Sequence, residues 1–194
     1  LWDPPRKEVK EALAIAKQAG IKVKVVTGDY RYTAEKIMDF LGIRVKPTEI
    51  LEGAELEKLS EEEFKEKISD ILLFVRVTPH QKLKIVKALQ NKGEIVAMTG
   101  DGVNDAPALK KSNIGIVVGE ASEVAKETAD LILLDSNFKT IVSAVEEGRV
   151  VFENIKKVIF FMLSDSFAEI VLILGSIILG WPLPLTIIQV LWIH

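Results

Sequence analysis

The sequence of 194 residues has no cysteine and only two histidines, His80 and His194. The lack of cysteine excludes disulfide scaffolds, thiolate zinc sites and thiol catalysis, and two histidines argue against a multi-histidine metal centre. The net charge of −3 gives no reason to expect nucleic-acid binding, so we expect no nucleic-acid partner. With 48% hydrophobic residues, the chain has enough apolar material for a sizeable core.

Basic residues are absent from the last part of the chain. All 25 Lys and Arg residues precede residue 158, and only Asp165 and Glu169 carry a charge after it. A helix over residues 158–181 would span about 36 Å, which exceeds the bilayer's hydrocarbon core of about 30 Å. The pair Lys156-Lys157 precedes this range, which favours a cytoplasmic location for the soluble part. We therefore predict a transmembrane helix over 158–181; the alternative is a core helix of a soluble protein.

The change in composition divides the chain into two predicted domains. Residues 1–150 have the composition of a soluble domain. Residues 151–194 contain a stalk, the helix over 158–181 and the opening of a second membrane helix over 185–194. The sequence starts at Leu1 and ends within an apolar run, so we expect a fragment of a longer, multi-pass membrane protein.

Strand and helix patterns alternate in the soluble part. Strands are predicted over 21–26, 71–77, 94–98, 114–118 and 131–134, and helices from Asp3, over 33–41, from Ser60, over 79–90, 106–111 and 121–128, and from Asn137. The remainder of 44–69 is predicted to be irregular. This rhythm favours an α/β fold with a parallel sheet, whose ligands bind beyond the carboxyl ends of the strands. Thr27-Gly28-Asp29 and Thr99-Gly100-Asp101 repeat one tripeptide at two such ends, so we expect Thr27 and Asp101 on neighbouring strands.

The segment 99–109 is the strongest candidate site. Asp101 and Asp105 supply the oxygen ligands that Mg²⁺ prefers, and backbone N–H groups at a helix start can bind phosphate. The spacing does not fit an EF-hand loop. The alternative is a tight turn with a helix cap. Lys82 could neutralise a phosphoryl group and Thr27 could donate to one. The alternative for Lys82 alone is a solvated helix face, and Thr27 alone is a weak signal.

Taken together, the motifs of this chain resemble those of the P-type ATPases, ion pumps whose phosphorylation domain has the haloacid-dehalogenase fold. The matching stretches are Leu1-x-Asp-Pro-Pro-Arg6, Thr27-Gly-Asp29, Phe74-x-Arg-Val-x-Pro-x-x-Lys82, Thr99-Gly-Asp-Gly-Val-Asn-Asp-Ala-Pro-Ala-Leu109 and Val145-Glu-Glu-Gly-Arg149. The resemblance implies a partial Rossmann-like parallel sheet followed by transmembrane helices. The subgroup that it resembles is the type II pumps for calcium or sodium/potassium, and the Cys-Pro-Cys signature of heavy-metal pumps does not occur in this sequence.

The resemblance also implies a role for each matching residue. Thr27, Lys82 and Asp101 correspond to catalytic residues that contact the transferred phosphoryl group or hold Mg²⁺. Those implied for nucleotide or phosphate binding are Thr27, Gly28, Asp29, Arg76, Lys82 and Asn104, with Asp105 supporting the Mg²⁺ site behind Asp101, and Asp3-Pro-Pro-Arg6 matches a hinge to the nucleotide-binding domain. ATP is the implied substrate. The family's nucleophile is the Asp of Asp-Lys-Thr-Gly-Thr, which does not occur in this sequence, so we expect half an active site.

The predicted membrane helix contains a second candidate site. Asp165 and Glu169 are four residues apart, which places them on one helix face beside Ser166. Ionisable groups inside a membrane are costly and mostly functional, although a structural polar contact between helices is the alternative. The family's fifth membrane helix has a cation-coordinating Glu, which Glu169 matches, whereas Ser166 stands where Asn is usual.

These residues indicate a transported cation, the bilayer and the rest of a pump as partners. Calcium is the expected cation, and a proton or sodium pump is the alternative. Two other classes stay open: a membrane-tethered haloacid-dehalogenase phosphatase and a non-catalytic module that binds Mg²⁺ or a pump partner.

Overall fold

The computed structural model describes residues 8–135 and 137–182. The helices are Glu8–Gln18 (α1), Arg31–Phe40 (α2), Gly53–Leu56 (α3), Glu61–Lys67 (α4), Pro79–Gln90 (α5), Ala106–Lys111 (α6), Glu123–Thr128 (α7) and Phe138–Leu179 (α8). The strands are Val25–Val26 (β1), Ile50–Glu52 (β2), Leu73–Val75 (β3), Ala97–Gly100 (β4), Ile114–Val118 (β5) and Leu131–Leu133 (β6). The Asp3-Pro-Pro-Arg6 hinge and the second membrane segment over 185–194 lie outside the described residues. The chain divides into two compact units, Leu1–Ser143 and Ala144–His194.

The first unit contains two parallel three-stranded sheets, ordered β1-β3-β2 and β4-β5-β6. The parallel α/β class predicted from the sequence is therefore confirmed. The prediction that the strands before Thr27 and Asp101 are neighbours is wrong. Within the part of the chain that the structure describes, β1 pairs with β3 alone and β4 with β5 alone. Strands β1 and β4 each lie at an edge of their own sheet. The repeated tripeptide could not predict this, because strand pairing depends on partners that are distant in sequence.

The first sheet is covered on both faces, and all three residues of β3 are buried. Phe74 packs edge-on against Phe64 of α4, with ring centroids 6.4 Å apart. Leu73 and Val75 share a separate core cluster with Met38 of α2. Because successive residues of a strand point to opposite faces, this split places β3 between two helical layers. The same burial explains why the apolar run over 71–75 is continuous.

Local sequence signals account for the starts of α4 and α5. Ser60 caps α4 and accepts a hydrogen bond from the Glu63 N–H, while the Glu63 carboxylate accepts from the Ser60 N–H. Thr78 and Gln81 form the same reciprocal pair before α5, with Pro79 at the first helical position. Such capping boxes satisfy backbone donors that a helix start leaves unpaired. Both predicted helix starts are confirmed.

The 42-residue helix α8 exposes its apolar side chains. It contains an apolar stretch long and hydrophobic enough to cross a membrane, and none of that stretch is buried. From residue 151 to 182 every side chain is exposed except a short set. The members of that set are Asp165, Ser166, Glu169, Ile173, Gly175 and Ser176. A soluble core helix would bury its apolar side chains, so the alternative of a core helix does not apply.

Candidate active site and membrane carboxylates

An ion pair between α5 and the start of α6 forms the centre of the soluble site. Lys82 follows the Thr78 cap, and its Nζ donates to Asp105 Oδ1 at 2.6 Å. The two side chains are largely shielded, with exposures of 17% and 10%. Desolvated charges need such pairing, and removing one partner of a buried pair costs more than breaking a surface salt bridge. The pair therefore fixes a cation and an anion together at one loop.

Asp105 owes its position to Gly100 at the end of β4. A Cβ built on Gly100 would lie 2.6 Å from the Cβ of Asp105 and 2.9 Å from its Oδ2. Contacts under 3.0 Å are essentially absent between real Cβ atoms and their neighbours. The Asp105 N–H also donates to the Gly102 carbonyl at 3.0 Å, within a 3₁₀ turn over Val103–Asp105. Glycine at position 100 is thus what lets the carboxylate lie against the strand end.

Asp101 and Asn104 occupy the exposed side of the same loop. The Asp101 carbonyl accepts a hydrogen bond from the Ser122 N–H at 2.9 Å, which ties the loop to the start of α7 and leaves the carboxylate exposed. In residues 8–135 and 137–182, no group of three or more His, Cys, Asp or Glu side chains could hold a metal by itself. Mg²⁺ commonly takes one or two carboxylates and fills its octahedron with water and phosphate oxygens. Asp101 has an exposed carboxylate and Asp105 lies four residues on in the same loop, so the loop contains the type of oxygen ligand that this mode of binding uses.

The second strand end forms a separate cluster. The Thr27 hydroxyl donates to Asp29 Oδ2 at 3.0 Å and accepts from the Asp29 N–H at 3.1 Å. The backbone of this loop is held by Arg76 and Val77, whose N–H groups donate to the carbonyls of Asp29 and Thr27 at 3.0 and 3.2 Å. These bonds bring Thr27, Gly28, Asp29 and Arg76 together at the end of the first sheet.

Arg76 and Tyr30 form a contact in this cluster that sequence reasoning missed. Arg76 has a φ of 51°, a left-handed conformation uncommon outside glycine. Its guanidinium carbon lies 4.7 Å from the centre of the Tyr30 ring. The two residues are 46 positions apart, so no local pattern could have found the pair. A tyrosine after the Thr-Gly-Asp tripeptide was the only available signal.

Helix α5 links the two sheets. Its Ile85 lies in one core cluster with Phe74 of β3. On the side of the second sheet, Lys82 joins α5 to the Asp105 loop, and the Gln90 amide donates to the Lys111 carbonyl and to Asn113 Oδ1, at 2.9 and 3.1 Å. Helix α5 thus contacts both sheets and carries Lys82.

The membrane candidates lie together on α8. Asp165, Ser166 and Glu169 are half-buried, whereas neighbouring Phe167, Ile170 and other apolar side chains are exposed. One turn separates the two carboxylates, as their i,i+4 spacing requires. The structure therefore places these polar groups on the shielded side of an otherwise exposed apolar helix.

Comparisons with known proteins agree with both parts of the chain. Residues 1–113 match the model of the haloacid dehalogenase-like hydrolases. The chain is similar to the calcium-transporting ATPase 1 of Bacillus cereus, at 49% identity over 99% of this chain and 22% of that protein. It is also similar to the cation-transporting ATPase pma1 of Synechocystis, at 47% identity over 99% of this chain and 21% of that protein.

Among solved structures, a zinc-transporting PIB-type ATPase in its E2.Pi state superimposes with a TM-score of 0.68 and 28% identity, over 93% of this chain and 24% of that one. This chain spans about a fifth of the length of the curated relatives. The matches cover the soluble sheets and α8 alike. The chain belongs to the haloacid dehalogenase-like hydrolases, and within them it is a segment of a P-type ATPase.

Proposed function

We propose that the full-length protein is an ATP-driven, calcium-type cation pump. This chain supplies the Mg²⁺ and phosphate half of its phosphorylation site together with membrane ligands for the transported ion. The shielded Lys82–Asp105 pair carries the proposal. A shielded cation beside the carboxylates of a strand end is typical of a site that binds a charged ligand. The calcium-pump names of the relatives support the choice of ion.

Phosphoryl transfer depends on positioning and charge neutralisation. We assign to Lys82 the neutralisation of the transferred phosphoryl group and to Thr27 a hydrogen bond to one of its oxygens. The Thr27 proton now points at Asp29, so it must turn towards the phosphoryl group when that group arrives. Asp101, with Asp105 behind it, would hold Mg²⁺, which supplies charge neutralisation at the phosphate oxygens. Asn104 contributes an exposed amide to the same loop.

The sheet edges support the position of the missing nucleophile. Among the described residues, β1 and β4 each have one side without a strand partner. A strand from the rest of the protein, paired with both edges, would end beside Thr27 and Asp101. We place the phosphorylated Asp of the full-length protein at the end of such a strand. The 194 residues alone are then expected not to form a phosphoenzyme.

The shielded face of α8 is the proposed transport site. A charged side chain at mid-membrane costs at least about 2.5–3.5 kcal/mol, which binding of a cation would offset. Glu169 is the principal ligand, assisted by Asp165 or Ser166. Two carboxyl groups one turn apart can approach one ion and favour a divalent cation. The soluble part lies on the cytoplasmic side of a multi-pass protein, with the bilayer and the remaining pump domains as partners.

Ion-dependent phosphorylation tests this function. The full-length protein, in native membranes, is incubated with radiolabelled ATP and Mg²⁺, with Ca²⁺, Na⁺ or neither, at several pH values. A hydroxylamine-sensitive phosphoprotein that requires Ca²⁺ supports the proposal. A requirement for Na⁺, or labelling that needs neither ion and varies with pH, identifies the sodium or proton alternative. Release of phosphate from small phosphate esters without a phosphoprotein would identify a tethered phosphatase instead.

A further inference from the structure

We propose that Tyr30 is a positioning residue for the nucleotide, and that its ring holds the Arg76 guanidinium in the orientation that binds a nucleoside triphosphate. This inference rests on the proposed function and on the resemblance to the P-type ATPases, which implies a nucleotide-binding role for Arg76. It adds a residue for which the resemblance assigns no role.

Tyr30 contributes neither to the core nor to the capping of a helix. Its side chain is 67% exposed, so it contributes little to the core. It also occupies the position before the first residue of α2 and makes no side-chain capping bond there. Ser, Thr, Asp and Asn are favoured at that position because a short side chain can accept from the helix N–H groups. An aromatic residue there gives up a cap, and such local departures concentrate at functional sites.

Arg76 has a fixed backbone. Its φ of 51° is sparsely populated for residues with a side chain, and such conformations persist where the surroundings hold them. The Arg76 N–H donates to the Asp29 carbonyl, directly before Tyr30. The same short loop therefore fixes both the start of the Arg76 side chain and the aromatic ring that meets its end.

The stacking leaves the useful part of the guanidinium available. A guanidinium can stack one face on an aromatic ring while the N–H groups at its edge stay free to bind phosphate or hydroxyl oxygens. The centre-to-carbon distance of 4.7 Å lies within the range of a cation–π contact. Across the described ranges 8–135 and 137–182, no carboxylate forms a salt bridge with Arg76. An anionic nucleotide is the ligand class that this arrangement suits.

The chain contains a matched control two residues away. Tyr32 is 70% exposed and its ring lies 5.5 Å from Lys36 Nζ, so it too forms an exposed cation–π pair. That pair lies within α2 and shares no residue with the Thr27 loop. A general effect of removing an exposed tyrosine would therefore appear equally in both positions.

The test measures the KM for ATP and the kcat of the full-length pump, together with its thermal unfolding midpoint. Tyr30→Asn is expected to raise KM roughly two- to fivefold, the equivalent of one exposed cation–π contact, with little change in kcat. Because asparagine restores a helix cap, the same variant is expected to keep or raise the unfolding midpoint. Tyr30→Phe keeps the ring and is expected to keep KM, and Tyr32→Ala is expected to leave it unchanged.

A double-mutant cycle decides whether Tyr30 acts through Arg76. Tyr30→Asn is expected to have no further effect on KM in an Arg76→Ala background, whereas full additivity would overturn the inference. An unchanged KM in Tyr30→Asn, or an equal rise in Tyr32→Ala, would also overturn it. Absence of any phosphoenzyme in the unsubstituted pump would instead refute the proposed function. The nucleotide would then no longer be the ligand for which Tyr30 positions Arg76.

Discussion

Lys82 Nζ lies 2.6 Å from Asp105 Oδ1, across 23 residues of sequence, and joins α5 to the 3₁₀ turn that follows β4. The contact joins the amino group that we assign to phosphoryl binding to the carboxylate that we assign to the support of the Mg²⁺ site. In the absence of a phosphoryl group, each charge neutralises the other. A phosphoryl group would compete with Asp105 for Lys82, which couples its arrival to the carboxylate.

Replacing Lys82 should abolish most phosphorylation. Lys82→Met in the full-length pump is expected to lower the rate of phosphoenzyme formation by about a hundredfold or more, since it removes a preorganised positive group. Lys87→Met, on the exposed side of the same helix, is the control and should retain the wild-type rate. Rapid-quench labelling with ATP measures both, and similar rates in the two variants would remove Lys82 from the site.

Gly100 and Gly102 should respond differently to the same substitution. Gly100→Ala forces a Cβ into Asp105 and should reduce phosphorylation strongly. In Gly102→Ala the nearest atom is Asp105 Oδ2 at 3.8 Å, an ordinary contact, so the loss should be much smaller. The comparison is made by phosphoenzyme levels at saturating ATP. Equal losses would mean that close packing of Asp105 is not what the glycine provides.

Asp101→Asn should prevent Mg²⁺-dependent phosphorylation while the protein still folds, because an amide is a far weaker ligand for Mg²⁺ than a carboxylate. The exposed position of Asp101 means that no core contact is lost. Phosphoenzyme formation is measured against Mg²⁺ concentration, with the unfolding midpoint as the folding control. Near-normal phosphorylation at low Mg²⁺ would exclude Asp101 as the metal ligand.

Replacing the two membrane carboxylates should affect ion-activated phosphorylation to different extents. Glu169→Gln is expected to weaken ion-activated phosphorylation from ATP while ATP binding stays intact, and Asp165→Asn should have the same effect more mildly. Exposed Ser164→Ala, beside the shielded set, is the control. The apparent cation affinity is read from phosphoenzyme levels against ion concentration. If Glu169→Gln leaves that affinity unchanged, the transport site does not lie on this face of α8.

The α4 capping box should give a pH-dependent contribution to stability. Hydrogen bonds from Ser60, first from its backbone N–H, hold the pKa of Glu63 below its usual value of 4.5. A carboxylate with a lowered pKa stabilises the fold fully above the unfolded value and loses that contribution as the pH falls through the folded one. Glu63→Ala should therefore lower the unfolding midpoint at neutral pH, and the difference from wild type should shrink in acid. Glu62→Ala, in the same turn but outside the capping box, is the control for removing a carboxylate from the start of α4.

The elements that could be predicted most accurately from the sequence are those whose ends are determined by neighbouring residues. Helix α5 runs over Pro79–Gln90 as expected, because Thr78 and Pro79 define its start without reference to the rest of the fold. Strand β2 was missed within a segment predicted to be irregular. It has three residues, Ile50–Glu52, and exists because it pairs with β3, which no local pattern reveals.

The same distinction holds at the site. The loop around Asp101 and Asp105 could be predicted because its residues are contiguous and chemically distinctive. The separation of β1 from β4, and the stacking of Tyr30 on Arg76, depend on which distant segments meet. Tyr30 is exposed and lies outside any periodic apolar pattern, so no feature of the sequence marked it as a partner of Arg76.

The position of Glu169 along α8 has a consequence for how an ion would reach it. The residue is twelve positions from Lys157, about 18 Å along the helix, and ten positions from Leu179, the last helical residue, about 15 Å along it. Lys157 and Trp181, which follows the helix end, are of the types that anchor helices at membrane surfaces, so Glu169 lies near the middle of the predicted span. A cation bound at Glu169 would be about 15 Å or more from either end of the helix, so its exchange would need a path through about half of the span on each side.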